Sequence, residues 1–388
     1  MCETVFRNDV CKDVRMTSRV AVLKCENYER DRVFKTVHEA LELIGGIKRF
    51  VQKGQKVLLK PNMLSAKAPK RGITTHPVIL EAMIREIQTI GAEIWIGDSP
   101  SGAIKGIKRY WENTGYQDLS NRTGVKLINF EAGGTVVREI GEKTYHLARS
   151  VFEADVVINL PKFKTHGYTL YTGAIKNLYG TLPGFQKSTF HKLYSHPENF
   201  SRILVDIFSL VRCSLHLMDG ILGMEGNGPA TGGLRDVGLI LASEDGVALD
   251  TIVSHIMGFK EDEIDAIRLA GERELGESKL ENIQILGAEL DNVRFDDYIL
   301  PSNRLVRLIP QSLVRVLGKF IWVRPKSDLL KCTGCGICSR SCPVGAIQMI
   351  EDKPVMDYDT CINCLCCNES CPEGAVIQEM SFLARKLA

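Results

Sequence analysis

Cys332-Thr333-Gly334-Cys335-Gly336-Ile337-Cys338-Ser339-Arg340-Ser341-Cys342-Pro343 returns, at an offset of 29 residues, as Cys361-Ile362-Asn363-Cys364-Leu365-Cys366-Cys367-Asn368-Glu369-Ser370-Cys371-Pro372. Gly345-Ala346 likewise returns as Gly374-Ala375. Two stacked half-modules are expected from such a repeat. Each copy spaces its cysteines by two, two and three residues and closes on Cys-Pro. Three thiolates at that spacing can curl around one four-iron cube, and the fourth ligand comes from the other copy. By this crossing rule one ligand set is Cys332, Cys335, Cys338 and Cys371, and the other is Cys361, Cys364, Cys367 and Cys342, so two [4Fe-4S] clusters are expected. Structural zinc also uses Cys-x2-Cys pairs, but it needs neither a third evenly spaced cysteine nor a duplicated Cys-Pro. Cys366 falls opposite Ile337 in the repeat register, a non-ligand position. It reads as a small buried hydrophobe, with a redox-active thiol as the alternative.

The pattern resembles the bacterial two-cluster ferredoxins at all eight ligand positions. With every iron held by protein sulfur, such a module suits electron relay, and any substrate chemistry must lie upstream. Composition changes near Pro325: after it come short loops and dense cysteines, the signature of a small metal-stapled unit. Residues 326–388 are therefore read as a ferredoxin-type α+β iron-sulfur module. Nine of the 13 cysteines fall between Cys332 and Cys371, which points to a metal cofactor and a reducing compartment rather than to disulfides. The remaining four, Cys2, Cys11, Cys25 and Cys213, show no cluster spacing.

In the 388 residues, 49 basic side chains nearly cancel 47 acidic ones, so no global field draws nucleic acid or an anionic membrane. Met1 to Val20 lacks the apolar core of a secretory signal, and no run approaches a membrane span. A cytoplasmic protein is expected.

Upstream, apolar β-branched runs at 20–24, 56–60, 93–96, 125–129, 156–160, 215–218 and 239–242 alternate with amphipathic segments at 31–44, 77–90, 104–114, 199–211 and 247–257. This alternation predicts an α/β domain over 18–298, with a mostly parallel sheet and helices on both faces. Ligands gather at the carboxyl ends of such strands. There the sequence places Lys60-Pro61-Asn62, Gly97-Asp98-Ser99-Pro100, Asn159 through His166, and Asp219-Gly220. The stretch from Lys162 to Lys192 mixes Lys162, Lys164, His166, Lys176, Lys187 and His191 with glycines and aromatics, and it shows no clear period. It reads as an ordered active-site loop whose lysines favour an anion. Met224 to Pro229 is glycine-rich, but a proline and then a strand follow where a dinucleotide fingerprint requires a helix, so no Rossmann site is expected.

Lys60-Pro61-Asn62, Thr74-Thr75-His76-Pro77, Gly97-Asp98-Ser99-Pro100, Lys162-Phe163-Lys164-Thr165-His166, Gly173-Ala174-Ile175-Lys176-Asn177, and Asp219-Gly220 with Met224 to Pro229 together resemble the domain-of-unknown-function family 362, over about residues 18–295. The resemblance implies the domain division and the candidate site, and it supplies no reaction. Candidate catalytic residues are His166, His191, Lys176, Asp98 and Asp219. Candidate ligand-holding residues are Lys60, Asn62, Lys162, Lys164, Asn177 and Glu225. Residues 1–17 form an N-terminal extension, and 299–325 a basic amphipathic linker helix that packs on the protein rather than on a membrane surface.

Three functions compete. In the first, an iron-sulfur oxidoreductase exchanges electrons with an anionic small molecule in the cleft, drawing on a redox partner protein or other low-potential donor or acceptor, with a histidine as proton donor. In the second, the chain is an electron carrier or adaptor without catalysis of its own. In the third, it handles a metal or cluster through His76, Asp98, His166 and Asp219.

Overall fold

The computed structural model describes residues 18–100, 106–302 and 322–387. The N-terminal extension, the start of the helix expected at 104 and most of the linker helix lie outside the described residues.

Strands β1 (Ser18–Lys24), β2 (Lys56–Pro61), β3 (Glu93–Asp98) and β4 (Lys126–Asn129) alternate with helices α1 (Arg30–Leu43), α2 (Pro77–Gln88), α3 (Ile107–Thr114) and α4 (Tyr116–Thr123). Then come the hairpin β5 (Thr135–Ile140) and β6 (Lys143–Ala148), helix α5 (Arg149–Glu153), strands β7 (Val156–Leu160), β8 (Lys162–His166) and β9 (Leu170–Thr172), and helices α6 (Ala174–Asn177), α7 (Gln186–Leu193) and α8 (Pro197–Leu210). Strands β10 (Leu215–Glu225) and β11 (Gly233–Ser243), helices α9 (Gly246–Ile256) and α10 (Asp265–Glu272) and strand β12 (Ile283–Gly287) complete the domain.

The sheet runs β12-β1-β11-β10-β7-β2-β3-β4, with β8 beside the far half of β10 and β9 beside β8. Neighbours are parallel except where β11 or β9 is a member. Side chains alternate across the sheet because the strand period is two. Val57 and Leu59 of β2 thus join one core with α1 and α2, while Leu58 joins the other with α8 and α9. The helices lie on both faces, as expected. Their starts are set locally: Glu29 accepts from the Asp31 and Arg32 amides ahead of α1, Pro77 opens α2, and Asp245 accepts from the Val247 and Ala248 amides at α9.

The structure corrects two expectations. Residues 162–192 are not a loop: β8, β9, α6 and α7 occupy them, and Lys162, Lys164 and His166 are buried. These elements are short, and most of their polar side chains find partners inside the protein, so no apolar period marks them. Asp219 does not end its strand either, since β10 continues to Glu225 past an irregularity after Gly220.

In the cysteine-rich module, β13 (Val323–Ser327) pairs antiparallel with β16 (Val376–Met380), and β14 (Ile347–Ile350) with β15 (Lys353–Met356). Helical turns Ile337–Arg340 and Cys366–Ser370 follow the first two cysteines of each copy. The module docks against the α/β domain: Asn368 Nδ2 donates to Thr231 Oγ1 at 3.3 Å, and Glu369 is buried. No helix among the described residues is long and apolar enough to cross a membrane.

Candidate functional site

At the carboxyl ends of β2 and β3, Lys60 Nζ lies 2.8 Å from Asp98 Oδ1, with both side chains buried. Burial lowers the Lys60 ammonium below its ordinary value, and the Asp98 carboxylate opposes that shift. Beside the pair, Asn62 Nδ2 donates to Asn177 Oδ1 at 2.9 Å, and Asn177 Nδ2 donates to Asn159 Oδ1 at 2.7 Å. Asn177 sits on α6 because Asp250 accepts from the Ala174 and Ile175 amides at 2.6 and 2.9 Å and anchors that turn. Gly180 is required by close approach: a Cβ there would stand 2.2 Å from Asp98 Oδ1.

A second buried pair is separate from this floor. Lys162 Nζ lies 2.8 Å from Asp219 Oδ2, which also accepts from the His76 amide at 2.8 Å, while Asp219 Oδ1 accepts from Tyr28 Oη at 2.8 Å. Every charge in this cluster is satisfied by protein, and Lys162 and Asp219 do not line the space onto which the Lys60–Asp98 pair faces. Lys164 donates to Asn62 Oδ1 and the Ile73 carbonyl at 2.8 and 2.7 Å; burial first, and then the Lys176 charge, push its ammonium well below the lysine range. It braces Asn62. Glu225 accepts from the Ile299 amide at 3.2 Å, away from the site.

What the strand ends open onto is a cavity of about 750 Å3 between the α/β domain and the cysteine-rich module. Of the residues singled out from sequence, Lys60, Asn62, Asp98, Lys176, Asn177 and His191 line it. Sequence reasoning had no signal for the opposite wall, where Ile337, Arg340 and Ser341 of the first copy meet Cys366, Glu369 and Ser370 of the second. These six are repeat mates at the 29-residue offset, so the module presents its two copies to the cavity through equivalent positions.

His166 Nδ1 accepts from the Tyr168 and Thr169 amides at 2.9 and 3.2 Å, so its neutral ring carries the proton on Nε2, which lies 2.9 Å from Glu369 Oε1 but is poorly aligned for a full hydrogen bond. Burial lowers His166 to about 4 and His191 to about 3. Neither is an imidazolium at neutral pH, which corrects the expectation of a histidine titrating there. His191 stacks on Phe200 at 4.2 Å, and its buried Nδ1 has no partner among the described residues. Although burial alone would raise it, the Lys176 ammonium and the His166 ring hold the Glu369 carboxyl well below the usual range. The ammonium of half-buried Lys176 makes no hydrogen bond among the described residues and stands 5.9 Å from the Tyr179 ring centre. Lys187, lowered by burial to about 8, donates to the Ser99 and Pro100 carbonyls at 2.6 and 3.3 Å.

The four residues proposed from sequence as metal- or cluster-handling ligands do not converge: His76 stacks on Tyr28, Asp98 and Asp219 hold lysines, and His166 turns to Glu369. Among the described residues, no group of three His, Cys, Asp or Glu side chains could hold a single metal ion. A four-iron cube makes no such demand, because each thiolate binds its own iron. The cysteines fit a cube: Cys332, Cys335, Cys338 and Cys371 line one small, mostly apolar cavity, and Cys342 lies within electrostatic reach of Cys361 and Cys367.

A family model described as a domain of unknown function, DUF362, matches residues 57–255, and a 4Fe-4S dicluster domain matches 324–380. The thylakoid-associated protein sll1697 of Synechocystis sp. is 35% identical over 244 residues, which is 62% of this chain and 75% of that protein. Two solved structures are distantly similar. The lactate racemase apoprotein of Thermoanaerobacterium thermosaccharolyticum gives a TM-score of 0.39 at 10% identity, covering 63% of this chain and 58% of that one. A Thermotoga maritima protein gives 0.37 at 14%, covering 64% and 60%. This chain thus spans less than two thirds of either structure.

Proposed function

This chain belongs to the DUF362 family and carries a 4Fe-4S dicluster domain, and from that premise we propose that it is an iron-sulfur oxidoreductase acting on an anionic small molecule in the cavity between its two parts. The observation that carries this reading is the cavity itself, whose floor is the strand ends of the α/β domain and whose roof is the cysteine-rich module. Two [4Fe-4S] clusters, held by Cys332, Cys335, Cys338 and Cys371 and by Cys361, Cys364, Cys367 and Cys342, supply one-electron chemistry when bound.

The chain's own residues do the rest. Lys176, with its ammonium donors unspent, anchors the anion. Asn62 and Asn177, locked to one another, present fixed amide groups. Neutral His191 offers an unpartnered ring nitrogen to the ligand, and the docked module excludes bulk water. Electrons pass to or from a redox partner protein or another low-potential donor or acceptor, in the reducing cytoplasm.

The test is a pair of variants prepared without oxygen. Lys176→Met should keep full iron and remain folded while losing at least tenfold in turnover or ligand affinity. Lys162→Met, which breaks a buried ion pair, should instead cost about 3–5 kcal/mol of stability. If Lys176→Met keeps both iron and function, the chain is an electron carrier or adaptor without catalysis.

A further inference from the structure

Resting on that reading, the unspent donors in the cavity narrow the ligand's class. Of the cations lining it, Lys60 is held by Asp98 at 2.8 Å, and Lys187 directs its donors to the Ser99 and Pro100 carbonyls. The Lys176 ammonium makes no hydrogen bond among the described residues. Arg340, on the module wall, donates one of its five N–H groups to the Cys335 carbonyl at 2.9 Å and has no acidic partner among the described residues. Its repeat mate Glu369 is engaged across the interface by His166 and held ionised beside Lys176. The repeat therefore leaves one position filled by the α/β domain and its counterpart open toward the cavity.

We propose that the ligand is an organic dianion with two separate anionic groups, one bound by Lys176 of the α/β domain and the other by Arg340 of the cysteine-rich module. A single small anion cannot fill about 750 Å3, a volume within the roughly 300–1,000 Å3 of small-molecule sites. Met63, Leu64, Phe185 and Ile337 line the same cavity and suit a carbon body between the charged ends. Such a ligand bridges the two parts and is bound tightly only when the module is docked.

The test uses the iron-loaded full chain and calorimetric titration with benzoate against the three benzenedicarboxylates, in which one or two carboxylates sit on the same ring. At least one dicarboxylate should bind tenfold or more tighter than benzoate. Arg340→Gln, at an exposed position, should erase that advantage and leave benzoate affinity unchanged, whereas Lys176→Met should weaken both classes. Equal affinity for benzoate and every dicarboxylate, or an advantage that survives Arg340→Gln, overturns the bridging dianion and leaves the anion site standing. No binding of any probe, with Lys176→Met matching the parent protein, overturns the anion site as well.

Discussion

Positions related by the 29-residue repeat are close to identical in covalent pattern and opposite in surroundings. Cys335 is exposed where Cys364 is buried, and Arg340 is exposed where Glu369 is buried. The backbone is shared: left-handed turns at Gly334 (φ 73°) and Gly336 (φ 67°) recur at Asn363 (φ 53°) and Leu365 (φ 61°). Glycine meets that conformation without strain in the outer copy. In the inner copy Leu365 accepts a cost of about 1 kcal/mol, because its side chain is buried in the core of the α/β domain, which offsets it. One backbone pattern thus serves both a copy with exposed Cys335 and Arg340 and a copy whose Cys364 and Glu369 are buried.

The comparison breaks most severely at the shared ligands. Cys342→Ser should harm the cluster nucleated by Cys361, Cys364 and Cys367, and Cys371→Ser the cluster nucleated by Cys332, Cys335 and Cys338, read by iron content and electron paramagnetic resonance. Loss confined to the mutated cysteine's own copy would contradict crossed ligation. Next in size, Glu369→Gln should destabilise the docked chain by about 2–3 kcal/mol, since it removes a buried carboxylate from beside Lys176 and His166. Arg340→Gln at the mate position should stay within about 0.5 kcal/mol, as exposed substitutions usually do. Matched effects at the two positions would erase the asymmetry.

Acid should loosen the inner interface. His166 and His191 titrate at about 4 and about 3 when folded, against 6.5 unfolded. Below pH 6.5 the unfolded chain therefore binds protons that the folded chain refuses, and stability present above 6.5 is lost as pH falls toward 4. The loss is about 2 kcal/mol per histidine by pH 5. Asp250, raised by burial to about 7, works in the opposite sense over the same range and offsets part of it. Thermal unfolding from pH 7 to pH 5 should show a net fall, and His191→Phe should reduce its slope. A flat profile in the parent protein would contradict the buried, neutral histidines.

The cysteine module could be read from its sequence because iron ligation is local, with spacing alone fixing which thiolates can share a cube. The parallel sheet was legible through apolar runs such as Val57 to Leu59 and Val156 to Leu160. The strand ends at Lys60, Asn62 and Asp98 were legible because polar residues directly follow those runs. Less was visible between Lys162 and Lys192. There β8 is a strand of buried lysines, and its partners Asp219, Tyr28 and Asn62 are distant in the chain, so no period reveals them. Hairpin β5–β6 and helix α10 were missed for a different reason: both mix apolar and charged residues over stretches too short to set a period. The roof of the cavity was invisible from sequence. Arg340 and Glu369 stand among cysteines that account for their neighbourhood, and only the docking of the two parts gives them a second role.

The claim that an anionic molecule occupies the space between the sheet and the module is tested most directly by native mass spectrometry of the chain purified without oxygen. The intact, iron-loaded parent protein should carry a mass beyond polypeptide, iron and sulfide that is released as an organic anion. Lys176→Met should retain the iron and sulfide and lose that mass. An iron-loaded parent protein with no such mass even after incubation with the tightest-binding benzenedicarboxylate, or a mass unchanged in Lys176→Met, would contradict it.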